Sequence, residues 1–378
     1  MLRMNWGRCA LAGAAMLCAS VSHAATDSAV RRLLYAVNEA QNERGSISVY
    51  DIDAGHRLLK TIKTVSGMRD VRGVVASRVN SRLYVSYMDS SGTGKIFSLD
   101  LGSDRVVWDR AIPPGVDRLA IDPNGRLLFV PTWEGGNADF INVVDSGTGA
   151  VVRRVHFSRS SHDAQYPLSG PLFQETKAED GSGRYLYSVD PGNWAVSRTG
   201  PFLDILGPYA VDSARRYVVA NVTNLWGMQV GDLATGRIVT ARLPDPPPTS
   251  GKLFGLLPAA LGLPHGIGWT PDQNEVWQSS TGGDGHVYVW DMKNPMAPVL
   301  KRRLPLRSGH ASHWLTFTIR GDYAYIAPPK DSNDGTEIFD VRHHVPVGMI
   351  GSSEDMLEID FANGKVIRVG DQYGIGRK

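Results

Sequence analysis

Residues 264–305 read PHGIGWTPDQNEVWQSSTGGDGHVYVWDMKNPMAPVLKRRLP. Four strand-like runs stand in this stretch, HGIGWT, EVWQSS, HVYVWD and PVLKRRLP, each parted from the next by Pro, Gly, Asn or Asp. Short runs that alternate or stay apolar, with β-branched and aromatic residues, are sheet strands. The same four kinds recur along the chain. The first, small and apolar, returns as RGVVASRVN at 72, DRLAIDPNG at 117, PYAVDSARR at 208, HWLTFTIRG at 313 and MLEIDFANG at 356. The second returns as LLYAVNE at 33, RLYVSYM at 82, RLLFVPT at 126, RYLYSVD at 184, RYVVANV at 216 and YAYIAPP at 323. The third ends in Asp, as in SISVYDID, KIFSLDLG, FINVVDSG, MQVGDLAT and TEIFDVRH. The fourth is charged, as in HRLLKTIK, DRVVWDRA, AVVRRVHF and GRIVTARL.

A repeat of roughly 45 residues with four strands is the period of a β-propeller blade. The small apolar run suits the crowded position next to the axis. The charged run suits the outer edge, where Lys and Arg oppose edge-to-edge pairing. DPNGR, TPDQN, FANGK and TIRGD read as hairpin turns between the first and second strands. The predicted fold is therefore all-β, a propeller of seven four-stranded antiparallel blades, with eight as the alternative count. The chain starts inside one unit and ends inside another, which predicts closure of the ring by pairing of its first and last segments. The Asp closing each third strand (Asp51, Asp100, Asp145, Asp232, Asp291, Asp340) is expected to cap the following turn. Residues 158–183 and 244–264 read as insertions between an outer strand and the next inner one. The apolar stretch Lys252–Leu263 is expected to act as a lid or to find local cover, with docking of a partner or a second copy as the third option. Residues 190–208 read as irregular, without an outer strand, and His343–His344 as solvated.

The N-terminus, MLRMNWGRCALAGAAMLCASVSHA, has Arg3 and Arg8 ahead of an apolar run and ends in small residues. That pattern predicts a cleaved signal peptide over 1–24 and a single domain over 25–378 in the periplasm or outside the cell. The run is too short to span a bilayer, so no transmembrane anchor is expected after cleavage. Cleavage removes two basic residues and both cysteines, leaving 38 basic against 38 acidic residues. A neutral chain lacks the basic surface that phosphate neutralisation needs, which argues against nucleic acid as a partner. Without cysteine the mature domain has no disulfide and no thiolate, and without CxxCH no covalently attached c-type haem.

The connections into the inner strands deliver side chains to one end of the channel, where loops on a rigid scaffold carry function. They bring Arg69 or Asp70, Asp117 and Arg118, His162 and Tyr166, Tyr209, His265, His310, His313 and Trp314, Glu354 and Asp355. Other loops on the same face add Glu39, Trp133, Glu134, Asn193, Trp194, Asn224 and Trp226. Aromatic walls with a few convergent polar groups describe a small-molecule site. Arg69, Arg118, Trp133, Tyr166, Tyr209, Trp226 and Trp314 are the expected ligand-binding residues. His162, His265 and His313 come from separate blades at comparable positions. With a carboxylate such as Glu354 they would form a divalent transition-metal site. Asp117 and Glu354 are the candidate catalytic carboxylates, either one serving as base or as partner of a histidine acting as general acid or base. Trp108, Trp277 and Trp290 fall inside strands and are expected to pack between blades.

PHGIGWTPDQNEVWQSS, HVYVWDM and GMQVGDLATGRIV resemble the YVTN-repeat, or YncE-like, propellers of secreted and surface-exposed bacterial proteins, over most of residues 33–370. The resemblance implies a seven-bladed periplasmic or extracellular propeller and supplies no reaction. Two functional readings stand. One is a non-catalytic propeller that binds a small molecule or a protein partner at the channel mouth. The other is a periplasmic enzyme, a lactonase-type hydrolase or a metal-dependent oxidoreductase, with its His-rich site in the same place. A quinone-cofactor dehydrogenase, the remaining option, has no supporting signature.

Overall fold

The computed structural model describes residues 30–39, 44–244, 264–281, 285–309, 311–329, 332 and 334–371. Seven antiparallel sheets are arranged as blades around one axis. Blade 2 runs outward through Met68–Ser77, Arg82–Asp89, Gly94–Asp100 and Arg105–Ala111. Blade 3 follows with Ala120–Ile121, Leu127–Val130, Phe140–Asp145 and Val151–His156. Blade 4 holds Ser161–Gln165, Leu172–Thr176, Leu186–Val189 and Val196–Thr199. Blade 5 holds Leu206–Val211, Tyr217–Val222, Gly227–Asp232 and Ile238–Arg242. Blade 6 is Pro264–Trp269, Glu275–Ser280, His286–Asp291 and Val299–Pro305. Blade 7 is Trp314–Phe317, Tyr323–Ala327, Thr336–Asp340 and Val345–Ile350.

Blade 1 joins the first and last described strands of the chain. Its inner strand Met356–Ala362 pairs with Arg31–Asn38, Leu33 opposite Ile359 and Tyr35 opposite Leu357. Arg44–Asp51 and Arg57–Ser66 complete it outward. A fifth strand, Lys365–Val369, turns back through Asn363–Gly364 and lies on the axial side of Met356–Ala362. Gly370 and Asp371 continue from it to a crevice lined by Val75, Ala76, Leu119, Ala120, Ile121, Ala164, Gln165 and Tyr166. The end of the described chain thus stands against the far ends of the inner strands of blades 2, 3 and 4.

Burial follows the four strand types. Outer strands such as Val299–Pro305 expose most of their length, whereas middle strands such as Glu275–Ser280 are buried throughout. The core lies between blades. Trp277 of blade 6 packs edge-on against Phe317 and Phe339 of blade 7, and Trp108 of blade 2 donates its indole N–H to Ser146 O of blade 3. The Asp residues that close the third strands cap their turns as expected. Asp100 accepts the N–H of Ser103, Asp145 that of Thr148 and Asp340 that of His343.

Three expectations need correcting. Residues 158–183 are no insertion: they supply the inner two strands of blade 4, whose polar sequence SHDAQ hides the strand pattern. RYLYSVD is accordingly the third strand of that blade, and its outer strand, Val196–Thr199, lies inside the stretch read as irregular. His344 is not solvated. Its Nε2 lies 2.9 Å from Glu275 Oε2 and its ring against Trp277, so it ties blade 7 to blade 6. Residues 1–24, His310 and the stretch 245–263, which includes Lys252–Leu263, lie outside the described residues. Among the described residues no helix is long and apolar enough to cross a membrane.

Candidate functional site

The inner strands begin at one end of the channel, and polar side chains gather there from six of the seven blades. Asp117 and Arg118 precede the inner strand of blade 3, and His162 and Asp163 open that of blade 4. His265 opens that of blade 6, His313 precedes that of blade 7, and Glu354 and Asp355 precede that of blade 1. Blade 2 sends Arg72. Two register shifts, between Arg69 and Val71 and between Val71 and Gly73, rotate its inner strand. Arg72 therefore faces inward while Arg69 stays exposed. Glu39 of the closing blade accepts the N–H of Val71 at 3.0 Å and holds this bulge.

Arg118 lies across the mouth. Its guanidinium carbon is 3.6 Å from the centroid of the Trp314 ring. It donates to Glu354, reaches Asp355 at 3.3 Å and comes within 3.5 Å of Asp163. One buried cation thus links blades 3, 4, 7 and 1. A buried, planar cation that stacks on an indole and sends its three nitrogens to three different carboxylates is what Arg supports and Lys does not.

Asp117 is the hub of the second group. It is fully buried and accepts Arg72 Nε and Nη2 at 3.1 and 3.0 Å, Arg118 N at 3.0 Å and Glu134 N at 3.2 Å. Its Oδ1 lies 3.0 Å from His162 Nδ1. Burial alone would raise its pKa. The charges of His162 and Arg72 outweigh it and hold the carboxyl well below the usual range. Burial likewise works against a proton on His162, yet Asp117, Glu134 and Asp163 raise it to about 9. The His162 charge also lowers Glu134, against the effect of burial. A carboxylate so fully engaged orients His162 better than it accepts a proton.

On the other side of His162, Nε2 is 3.9 Å from Glu134 Oε2 and 3.9 Å from Asp163 Oδ1. Glu175, on the second strand of blade 4, completes a cluster with Asp163 and His162. Its carboxylate is buried, which pushes its pKa up, while Lys177 at 3.2 Å opposes the shift. Lys177 Nζ also donates to Leu206 O at 2.9 Å.

His265 and His313 form a separate pair, stacked at 3.8 Å with 22° between ring planes. His265 Nδ1 is 3.1 Å from His313 O, and His313 Nδ1 is 2.9 Å from Glu354 Oε2. Burial, with the neighbouring His313, drives the His265 pKa well below its ordinary value. Gly266 makes the stack feasible. A Cβ there would lie 2.8 Å from Trp314 Cα and 2.9 Å from His313 O, so only glycine lets blades 6 and 7 approach so closely. The three histidines are therefore not brought into one ligand set. The groups of ligand atoms within 4.8 Å of one another, among the described residues, are Asp117–Glu134–His162 and His162–Asp163–Glu175.

The remaining expected residues divide. Trp314 stands at the mouth beneath Arg118, and Trp133 at its rim, 39% exposed. Tyr166 does not join His162. A strand of four or five residues carries it about 13 Å along the channel wall, to the far end beside Phe129 and Gly370. Tyr209 is fully buried behind the site, its hydroxyl 3.4 Å from Asp163 O. Trp226 packs edge-on against Tyr288 between blades 5 and 6 and donates to Pro244 O. Sequence reading missed Arg72, Asp163, Glu175 and Lys177. Asp163 is next to a chosen histidine, but Glu175 and Lys177 lay in a stretch read as an insertion. Recognising SHDAQ and LFQET as a strand pair would have found them.

No family model matches this chain, and no curated protein matches it in sequence. Solved structures do match. The β-propeller domain of Myceliophteria thermophila Cps50 (Swd1) is 14% identical with a TM-score of 0.56, over 78% of this chain and 94% of that one. Kuenenia stuttgartiensis hydrazine synthase is 15% identical with a TM-score of 0.56, over 81% and 95%. The dihydro-heme d1 dehydrogenase NirN in complex with DHE is 16% identical with a TM-score of 0.54, over 88% and 75%. At such identity the likeness shows the seven-bladed propeller fold alone.

Proposed function

We propose that this chain is an exported binding propeller whose channel mouth takes a small ligand bearing positive charge. One observation carries the reading. Asp117, Glu134, Asp163, Glu175, Glu354 and Asp355 meet at the mouth, six carboxyl groups against Arg72, Arg118, Lys177 and a protonated His162 among the described residues. A recess with more buried carboxylate than cation favours a positively charged guest, and Trp314 and Trp133 supply aromatic surface beside it. Export rests on the pattern of residues 1–24, and a place among the YVTN-repeat propellers on the repeat itself.

Calorimetric titration of residues 25–378 in EDTA, against panels of amines, amino acids and carboxylic acids, tests this. A cationic ligand is expected to bind and to weaken roughly tenfold or more in Glu134→Gln, whose side chain is the open one of the set. Preference for anionic ligands, or binding indifferent to that change, overturns the reading. The enzyme reading draws on one observation, the 3.0 Å approach of Asp117 to His162. Hydrolysis of lactones or esters that is lost in His162→Gln would favour it.

A further inference from the structure

We infer that the floor of the mouth is a divalent transition-metal site, made by His162 Nε2, Asp163 and Glu175, with Glu134 at its open side. The inference deepens the ligand-binding reading above and rests on it for the location. Each of the three floor residues offers a ligand atom within 4.8 Å of the others. Atoms around a cation at 2.0–2.3 Å stand roughly 3–4.5 Å apart, so small side-chain adjustments close the set. His162 is 6% exposed, and Asp163 and Glu175 are fully buried.

The second observation is independent of the clustering. Both carboxylate oxygens of Asp163 and Oε2 of Glu175 are buried without a hydrogen-bond partner, and Glu175 Oε1 faces Lys177 Nζ at 3.2 Å. Buried carboxylate oxygens are ordinarily satisfied, because leaving them bare forfeits their hydration. Arg118, 3.5 Å from Asp163, and Lys177, beside Glu175, neutralise part of the charge but leave these oxygens open. A cation between the two carboxylates and Nε2 would satisfy them together.

The outer ring fits as well. The other nitrogen of His162 faces Asp117, which Arg72 and two backbone N–H groups fix in place. A carboxylate on the far nitrogen is the arrangement that orients a metal-binding imidazole. One imidazole with two or three carboxylates suits Mn²⁺, Fe²⁺ or Zn²⁺ and disfavours thiophilic Cu⁺. Glu134, with a side chain 40% exposed, leaves a path for the ion and an open coordination position.

The test uses the untagged mature chain stripped with EDTA and titrated with MnCl₂, free Mn²⁺ being read by electron paramagnetic resonance. One Mn²⁺ per chain is expected. Affinity should fall more than about a hundredfold in His162→Gln and in Asp163→Asn, and about ten- to a hundredfold in Asp117→Asn. His343→Ala, at an exposed pair on the edge of blade 7, should leave it unchanged. Pulsed resonance on the wild-type complex should show nitrogen coupling from a single imidazole, a readout that does not depend on a variant folding. Absence of uptake, uptake unaffected by the His162 and Asp163 changes in folded protein, or no nitrogen coupling overturns the site. Organic-ligand binding in EDTA with no metal uptake overturns the metal site alone. Uptake with imidazole coupling but no organic ligand supports it and overturns the wider reading.

Discussion

At the residue scale, two buried charges show how the blades are tied. Arg118 holds three carboxylates and the face of Trp314. Arg118→Met would leave buried acids uncompensated, and is expected to cost about 3–5 kcal/mol in urea unfolding. Adding Glu354→Gln should recover part of that loss. Glu275 is the second case. Burial works against its ionisation, but hydrogen bonds from Lys301, Trp277 and His344 outweigh it and hold its pKa below 4.5. The folded state therefore binds this proton more weakly than the unfolded one. Its contribution is full above about pH 4.5 and is lost as pH falls below that value. Glu275→Gln should destabilise the protein by about 2 kcal/mol at neutral pH. The gap to wild type should shrink at about pH 3.5, read from paired urea titrations.

At the scale of elements, inner strands set both packing and site. Blade 6 approaches blade 7 through Gly266, where a side chain would meet backbone atoms of His313 and Trp314. Gly266→Ala should cost about 1–3 kcal/mol by forcing the two strands apart. It should also loosen the His265–His313 stack, visible as a change in the imidazole resonances. The bulges in Met68–Ser77 act in the opposite sense, admitting Arg72 in place of Arg69. A change of register alters which side chain faces the channel because successive residues in a strand point to opposite faces.

At the scale of the whole molecule, closure depends on the first and last described strands meeting. Arg31–Asn38 pairs with Met356–Ala362, and Arg32 seals the join. Its Nε lies 2.7 Å from Glu358, its Nη2 2.7 Å from Asp322 of blade 7, and its Nη1 3.0 Å from Asp53. Arg32→Leu leaves Glu358 buried without its partner and should cost about 3–5 kcal/mol. A chain ending at residue 355 loses the inner strand of blade 1 and exposes the edge of Arg31–Asn38. It is expected to self-associate rather than unfold as a cooperative monomer, which sedimentation and thermal unfolding would report.

The repeat alone determined the propeller, the order of strands within most blades and the capped turns. Each follows from local pattern: period, turn residues and burial on one sheet. Local pattern also pointed to Asp117, Arg118, His162, His265, His313 and Glu354 as residues at the starts of inner strands. It did not distinguish which of them share a pocket. The structure parted His162 from the stacked His265 and His313, moved Tyr166 to the opposite end and brought in Arg72, Asp163, Glu175 and Lys177. Those outcomes turn on strand register and on distances across the axis between residues as far apart as 118 and 354. Neither is written in the order of neighbouring residues, because both arise only when the ring closes.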